Sequence, residues 1–195
     1  MPRIEIVEPQ ARWADEFTEI GSALRRGMGP LARAIHHIGS TAVPGLAAKD
    51  NIDVQVSVAG LHPLSPLRAG IEAAGYRIRD DYDVVHDHVP PFADPAPEHW
   101  AKRRAAAPVG AKAVRIHIRV EGAFNTRYAQ LFRDYLRAAP QAAAAYAQIK
   151  RELAARHGDD EDAYYAVKDP VCDLIMDAAE LWAASNGWTL PPTDA

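Results

Sequence analysis

The segment from His36 to Val58, HHIGSTAVPGLAAKDNIDVQVSV, constrains the fold more than any other part of the chain. It ends one apolar strand, turns at Gly39-Ser40, crosses a run of small residues and enters a second strand that carries Asp53. Glycine at a strand end allows a tight turn and lets a phosphate approach the backbone amides. The segment therefore predicts phosphate-binding amides beside a carboxylate that is placed to bind a metal ion.

The strand predicted at residues 51–58 alternates between an apolar and a polar face. The apolar face carries Ile52, Val54, Val56 and Val58, and the polar face carries Asp53, Gln55 and Ser57. A carboxylate on such a face is well placed to hold Mg²⁺ against a triphosphate, while a surface aspartate on an edge strand is the alternative interpretation. Two-metal phosphoryl chemistry usually requires further carboxylates, and Gln55 occupies the position where a second would face the same side.

The clearest strand is predicted at residues 113–121, where Val114, Ile116, Ile118 and Val120 form an apolar face. The opposite face carries Arg115, His117 and Arg119. If this strand neighbours the strand of Asp53, these side chains are expected to bind a phosphate or a carboxylate, with His117 as an acid or base. A solvated sheet face is the alternative.

Several further residues fit anion or metal chemistry, and each also has a structural explanation. Ser40 and Thr41 add hydroxyl donors, but Ser40 is equally suited to cap a following helix. Lys49 is expected either to reach a phosphate or simply to lie exposed. His86 and His88 share one strand face in the spacing of a metal pair, but no third ligand of matching spacing accompanies them.

The basic run at residues 102–104 is predicted to be solvated surface that guides an anionic substrate towards the cleft. Lys150 and Lys168 are expected to lie exposed on helices, and Cys172 to pack as a small hydrophobe.

The fold class that the remaining pattern predicts is α+β, with a mixed sheet of five or six strands followed by a block of three helices. The other predicted strands are residues 3–8, residues 32–38, and a hairpin formed by residues 76–80 and 83–89; residues 98–107 give no clear pattern. The predicted helices are residues 10–27, 63–74, 124–138, 140–156 and 162–186, and the tail after Gly187 is expected to be loose. We divide the chain into an α/β core, residues 1–122, and a helical part, residues 123–195, packed on it as one compact unit.

Charge and composition exclude some classes of function. A formal net charge of −4 and a pI of about 6.0 give no electrostatic case for nucleic acid as a partner or for binding to a membrane surface. The single cysteine allows no intramolecular disulfide, and neither a signal peptide nor a membrane span is predicted. We therefore expect a cytoplasmic protein; its oligomeric state is open and compatible with a homo-oligomer.

The residues from His37 to Lys49, followed by Ile52-Asp53, resemble the signature of the GrpB family, a group within the nucleotidyltransferase superfamily. The strand at residues 116–120 and the helix at residues 132–150, with Tyr146 and Lys150, resemble later blocks of that family. The resemblance implies a nucleotidyltransferase-like mixed sheet, a Gly39-Ser40 turn that cradles a phosphate, and Mg²⁺ on Asp53. It also implies a nucleotide context, because the family occurs fused to dephospho-CoA kinases.

Three hypotheses follow for the function. The first is transfer of a nucleotidyl or phosphoryl group from a nucleoside triphosphate to a small acceptor. In this hypothesis Asp53 holds Mg²⁺ and Ser40 holds the phosphate. The charge of the leaving group is balanced by Lys49, Arg115 and Arg119. The second is a module that binds a nucleotide or another anionic small molecule without metal-dependent catalysis. The third is a different transfer chemistry that is centred on His117 and needs no metal.

Overall fold

A computed structural model of the chain describes residues 3–79 and 83–195. Within these residues, six strands form one mixed sheet. The strands are β1 (Ala34–Ile38), β2 (Ile52–Val58), β3 (Arg77–Ile78), β4 (Val85–His86), β5 (Ala101–Ala106) and β6 (Val114–Val120). The fold is therefore a mixed α/β architecture of the predicted class.

Five α-helices accompany the sheet in the described part of the chain. They are α1 (Arg12–Met28), α2 (Leu64–Ala73), α3 (Phe124–Ala138), α4 (Pro140–His157) and α5 (Glu161–Asn186). Local sequence sets their ends: Pro140 opens α4 at the first turn, the Asp160 carboxylate caps the Ala163 amide at 2.9 Å, and Gly187 ends α5 in the left-handed conformation. None of the described helices combines the length and apolar character that a membrane span needs.

The strand order is β1-β2-β6-β5-β3, and β4 also pairs with β5. The central pair, β2 and β6, is parallel, whereas the other pairs are antiparallel. Asp53 lies opposite Arg115 and Gln55 lies opposite His117 in the parallel register. The polar residues of both predicted strands are thus neighbours at the centre of one sheet.

The two faces of the sheet have different roles. The apolar positions of β2 and β6, including Val54, Val56 and Ile116, pack with α1 and α2 into the largest hydrophobic core. The polar positions face α3, where the Gln55 side chain reaches the Thr126 carbonyl. Because strand side chains alternate between faces, the same pattern that builds the core also lines a polar cleft on the other side.

Some predicted strands are absent or paired differently. Residues 3–8 form only a single bridge, between Val7 and Ala48, because the Ile4 amide donates to the carbonyl of Gly158 rather than to a strand. The predicted hairpin is also wrong: β3 and β4 each pair with β5, which runs through the segment that had no clear pattern. The predicted strand end at residue 80, and residues 81 and 82, lie outside the described residues.

The chain's tail is held in place, contrary to expectation. The Asp194 amide donates to the Ile35 carbonyl at 2.9 Å, and its carboxylate accepts from the His37 amide at 3.0 Å and from Arg133 of α3 at 2.8 Å. Thr193 adds bonds to Ile35. The tail therefore satisfies backbone groups of β1 at the edge of the sheet.

Candidate functional site

The cleft lies between the polar face of the sheet and the helices α3, α4 and α5. Its larger part, which we call the main cavity, has a volume of about 440 Å³ and is lined by residues that include Asp53, His117, Trp100, Tyr128 and Phe132. Its smaller part, which we call the inner pocket, has a volume of about 90 Å³. The two parts share Ser40, Asp53, Arg115, Tyr146, Tyr165 and Lys168.

The turn at Gly39 and Ser40 lies directly against Asp53. Gly39 has a φ of +72°, in the region that favours glycine, and a Cβ atom there would lie 2.9 Å from Oδ2 of Asp53. Glycine is therefore needed both for the backbone conformation and for the close approach of the turn to the carboxylate. Ser40 is the first residue of a short 3-10 helix, Ser40–Ala42, whose cap position is Gly39, so Ser40 does not fill the capping role.

Asp53 and His117 lie on the adjacent strands β2 and β6 and face the same cleft. The Nε2 atom of His117 is 3.5 Å from Oδ1 of Asp53. Burial lowers the pKa of His117 to about 4, although the hydrogen bond with Asp53 opposes this effect. Burial raises the pKa of Asp53, but the hydrogen bond from His117 and the charge of Arg115 outweigh it, so the pKa is below its ordinary value. At neutral pH the pair consists of a carboxylate and an uncharged imidazole.

A buried network behind His117 fixes its orientation. Lys102 lies with Nζ 3.2 Å from Nδ1 of His117 and also donates to Asp87. An ammonium group can only donate, so Nδ1 accepts and Nε2 carries the proton that points to Asp53. Arg119 and Asn125 donate to the same Asp87 carboxylate at 2.8 and 3.0 Å. The Nε2 proton of His117 is thus directed at Asp53, and the role of His117 as an acid or base stays a prediction.

The basic run that contains Lys102 is not the solvated surface that its composition predicts. Lys102 and Arg103 are buried, at 7% and 2% exposure. Asp87 balances the charge of Lys102, and Arg103 donates to the Leu61 carbonyl at 2.9 Å and pairs with Asp83. Partners from elsewhere in the chain thus allow two consecutive cations to be buried in β5.

Gln55, which stands where a second carboxylate would lie, is fully buried and structural. Its Oε1 accepts from Arg119 at 2.6 Å, and its Nε2 donates to the Thr126 carbonyl at 3.2 Å. Arg119 is therefore engaged by Gln55 and Asp87 and is less available to a ligand than predicted.

The donor set limits what metal the cleft fits. Among residues 3–79 and 83–195, no group of three or more His, Cys, Asp or Glu side chains is placed to hold a metal ion. Asp53 is the one carboxylate among the residues lining the inner pocket. Mg²⁺ often binds through one or two carboxylates together with substrate phosphates. The residues thus fit a single Mg²⁺ ion shared with a phosphate ligand, but not a two-metal centre.

Thr41 is buried and its hydroxyl is used within the protein. The hydroxyl lies 3.0 Å from Nε2 of His37 and 3.3 Å from the carbonyl of Asn51, to which it donates. His37 in turn stacks on Phe17 with 4.7 Å between the ring centroids. We therefore regard Thr41 as a support of the turn that follows β1.

Lys150 of α4 is buried, at 3% exposure, although the sequence predicts an exposed side chain. Its Nζ donates to Oγ of Ser40 at 2.9 Å and to the carbonyl of Ala47 at 2.5 Å. It also lies 4.6 Å from the centroid of the Tyr146 ring. Burial lowers the pKa of Lys150 to about 7, and the charge of Lys168 acts in the same direction.

Lys49 and Lys168 complete the cationic wall of the inner pocket together with Arg115. Lys49 donates to the Tyr165 hydroxyl at 3.2 Å and lies 4.7 Å from the Tyr164 ring centroid. Lys168, predicted to be exposed, is only partly so, with Nζ 5.3 Å from the Tyr165 ring. Its Nζ also lies 3.3 Å from Oδ1 of Asp169.

The pair of His86 and His88 does not form a metal site within the described residues. His88 instead lies 3.0 Å from Asp173 of α5. Cys172, which precedes Asp173 in α5, is buried as predicted, and its Sγ lies 3.6 Å from the Tyr146 hydroxyl.

Sequence reasoning missed the residues that later helices and β5 bring to the cleft, above all Lys102, Lys150 and Lys168. One signal was available, because Tyr146 and Lys150 both belong to a block that resembles the GrpB family. A lysine that belongs to such a block, on a helix far from the turn in sequence, is a candidate for contact with it.

Fold and site together define a mixed α/β protein with a cation-rich cleft between its sheet and its C-terminal helices. The family model described as "GrpB protein" matches residues 3–178, and the chain belongs to the GrpB family. The crystal structure of conserved protein GrpB from Enterococcus faecalis has a TM-score of 0.71 and 28% identity, covering 91% of this chain and 99% of that one.

Curated relatives carry different names. A dephospho-CoA kinase of Mycolicibacterium paratuberculosis is 36% identical over 200 residues, which cover 95% of this chain and 48% of that protein. The UPF0157 protein YqkA of Bacillus subtilis is 32% identical over 181 residues, covering 92% and 48%. The UPF0157 protein SCO7215 of Streptomyces coelicolor is 31% identical over 176 residues, covering 90% and 84%. The chain spans about half the length of the first two relatives.

Proposed function

We propose that the cleft binds the phosphate groups of a nucleotide or of a related anionic small molecule. One observation carries this proposal: four cationic side chains surround the Ser40 turn, and one carboxylate, Asp53, accompanies them in the inner pocket. The cations are Lys49, Arg115, Lys150 and Lys168. Ammonium and guanidinium donors that converge on one point are the usual partners of phosphate oxygens.

The main cavity supports a nucleotide rather than a free phosphate. Its volume of about 440 Å³ is in the range of sites that bind small organic ligands. Trp100, Tyr128 and Phe132 line it, and aromatic rings of this kind stack on flat heterocycles. A nucleotide would thus place its phosphates near Ser40 and its base among these rings.

Titration calorimetry with ATP, GTP and CTP, each with and without Mg²⁺, tests the proposal. We expect binding of at least one nucleotide, weakened about 10- to 100-fold by Arg115→Gln, since a charged hydrogen bond contributes about 1.5–3 kcal/mol. Arg156→Gln is the matched control, because Arg156 is exposed on α4 and pairs with Glu152. The proposal fails if neither a nucleotide nor inorganic phosphate binds.

A second candidate is transfer of a nucleotidyl or phosphoryl group from a nucleoside triphosphate to a small acceptor. The observation that favours it is the ionised Asp53, oriented by His117 and packed against the Gly39 turn. Mg²⁺ held by Asp53 and the ligand phosphates would neutralise charge on the phosphates. Lys49 and Arg115 would balance the remaining charge, and His117 would keep Asp53 directed into the cleft.

Release of pyrophosphate or phosphate from the nucleotide that binds, measured with and without Mg²⁺, tests this candidate. We expect Asp53→Asn to abolish both turnover and the effect of Mg²⁺ on binding. If nucleotide binding is indifferent to Mg²⁺ and to Asp53→Asn, the transfer candidate fails while the binding proposal stands.

The name of the mycobacterial relative does not by itself extend to this chain. The match covers 48% of that protein. A P-loop kinase site requires a glycine followed directly by lysine, and this sequence contains no Gly-Lys pair. We therefore take from that relative only a nucleotide-related context.

A further inference from the structure

The inner pocket is too small for a whole nucleotide. Its volume of about 90 Å³ lies well below the range of about 300–1,000 Å³ that is typical of sites for whole small organic ligands. A pocket of this size suits one phosphate group better than a nucleoside. Because the pocket shares Ser40, Arg115 and Lys168 with the main cavity, a ligand in the cavity can extend one end into it.

Lys150 brings a positive charge into this pocket without a charged partner. Its Nζ contacts the Ser40 hydroxyl, the Ala47 carbonyl and the Tyr146 ring, all of them neutral. In the part of the chain that the structure describes, no carboxylate oxygen lies within 4.0 Å of this Nζ. A buried charge without a counterion costs stability, and an anion in the pocket would offset that cost.

The ammonium group of Lys49 also lacks a charged partner. Its Nζ contacts the Tyr165 hydroxyl and lies over the rings of Tyr164 and Tyr165 at 4.7 and 4.9 Å. Among the described residues it has no salt bridge either. Lys168 has Asp169 at 3.3 Å, but its Nζ also lies over Tyr165 at the wall of the pocket. Tyrosines therefore hold the ammonium groups of Lys49 and Lys150 in position without neutralising them.

We propose that the inner pocket binds the terminal phosphate of the ligand as a phosphomonoester dianion, and that Lys150 and Lys168 are its binding residues from the helical part. This inference rests on the proposed binding function and names the substrate class. A dianion matches an excess of cations better than a monoanionic diester does. A diester also carries a second organic substituent in place of one of the oxygens that would accept hydrogen bonds from these cations.

Chemical-shift titration by NMR with methyl phosphate and with dimethyl phosphate separates the two ligand classes. We expect methyl phosphate to bind and dimethyl phosphate not to bind measurably. Lys150→Gln and Lys168→Gln should each weaken methyl phosphate and the bound nucleotide about 10- to 100-fold. Arg156→Gln, which makes the same change of charge outside the pocket, should leave both affinities unchanged.

The outcomes distinguish this inference from the function on which it rests. If a nucleotide binds and Arg115→Gln weakens it, but neither lysine variant does, the inference is overturned and the binding proposal stands. Equal binding of the monoester and the diester also overturns it. If neither methyl phosphate, inorganic phosphate nor any of the nucleotides binds, both proposals fail. Should Lys150→Gln not fold, Lys168→Gln alone decides, because that side chain is only partly buried.

Discussion

Replacing Lys150 by methionine tests whether its ammonium group is a buried charge that costs the fold stability. The pKa of Lys150 is lowered from 10.5 to about 7, first by burial and then by the charge of Lys168. The folded protein therefore binds fewer protons than the unfolded chain between these two values. Stability should rise with pH in this interval, and the cost of the charge should be present in full below pH 7.

The magnitude follows from the structure. The difference between 10.5 and about 7 corresponds to a cost on the order of 5 kcal/mol, at about 1.4 kcal/mol per pH unit. Methionine removes it but loses the bonds to Ser40 and Ala47 and the contact with Tyr146, at about 1 kcal/mol each. We expect Lys150→Met to raise the free energy of unfolding by about 2 kcal/mol at pH 7, or Tm by about 4–8 °C.

Urea unfolding between pH 7 and pH 10 measures this effect. The advantage of Lys150→Met should shrink as pH rises, because the folded wild type then loses the charge that the unfolded chain retains. The charged or titratable groups that act on Lys150 are Lys49, Tyr146, Arg151, Lys168 and Cys172, and all of them are present in both proteins. Arg156→Met, on the exposed side of the same helix, should show no such trend. A methionine variant that is less stable by the same amount at both pH values would refute the reasoning.

Three further substitutions test other parts of the cleft. Gly39→Ala should lower the free energy of unfolding, measured in urea, by about 1–3 kcal/mol through backbone strain, and should also displace Asp53. Gly122→Ala is the control for strain alone, because Gly122 has a φ of +80° and open space around it. Asp87→Asn should lower the free energy of unfolding by about 3–5 kcal/mol, because it leaves Lys102 and Arg119 without their carboxylate. Burial raises the pKa of Asp87, but the charges of Arg119 and Lys102 outweigh it and keep the pKa below its ordinary value of 3.8. Acid titration of the wild type should therefore show stability lost below pH 3.8. Gln55→Glu should not make nucleotide binding more dependent on Mg²⁺, because the new carboxylate would pair with Arg119; calorimetry showing a new Mg²⁺ dependence would contradict the structural role of Gln55.

The central strands could be predicted because their information is local. Strict alternation in residues 51–58 and 113–121 gave both strands and the polar face that carries Asp53 and His117. β5 could not be predicted in this way, because Lys102 and Arg103 are typical of solvated surface. They are buried only because Asp87, Asp83 and the Leu61 carbonyl reach them from other parts of the chain. No window of sequence around residue 102 contains that information.

Lys150 illustrates the same limit on the helical side. Helix α4 is rich in alanine, so its sequence defines no strong apolar face from which the burial of one lysine could be inferred. The partner of Lys150 is Ser40, 110 positions earlier in the chain. Local pattern therefore predicts the part of the cleft that β2 and β6 form, whereas the rest depends on how β5, α4 and α5 pack around it.

The two groups of cations in the cleft differ in a way that separates structure from binding. Lys102 and Arg119 both have the Asp87 carboxylate as a partner, so their charges are balanced within the protein. Lys49 and Lys150 are held by tyrosines and neutral oxygens, which fix their positions but leave their charges unbalanced. A fold that needed only stability would gain from replacing the second group by apolar residues. The anionic ligand that we propose would supply the negative charge that these cations lack around Ser40.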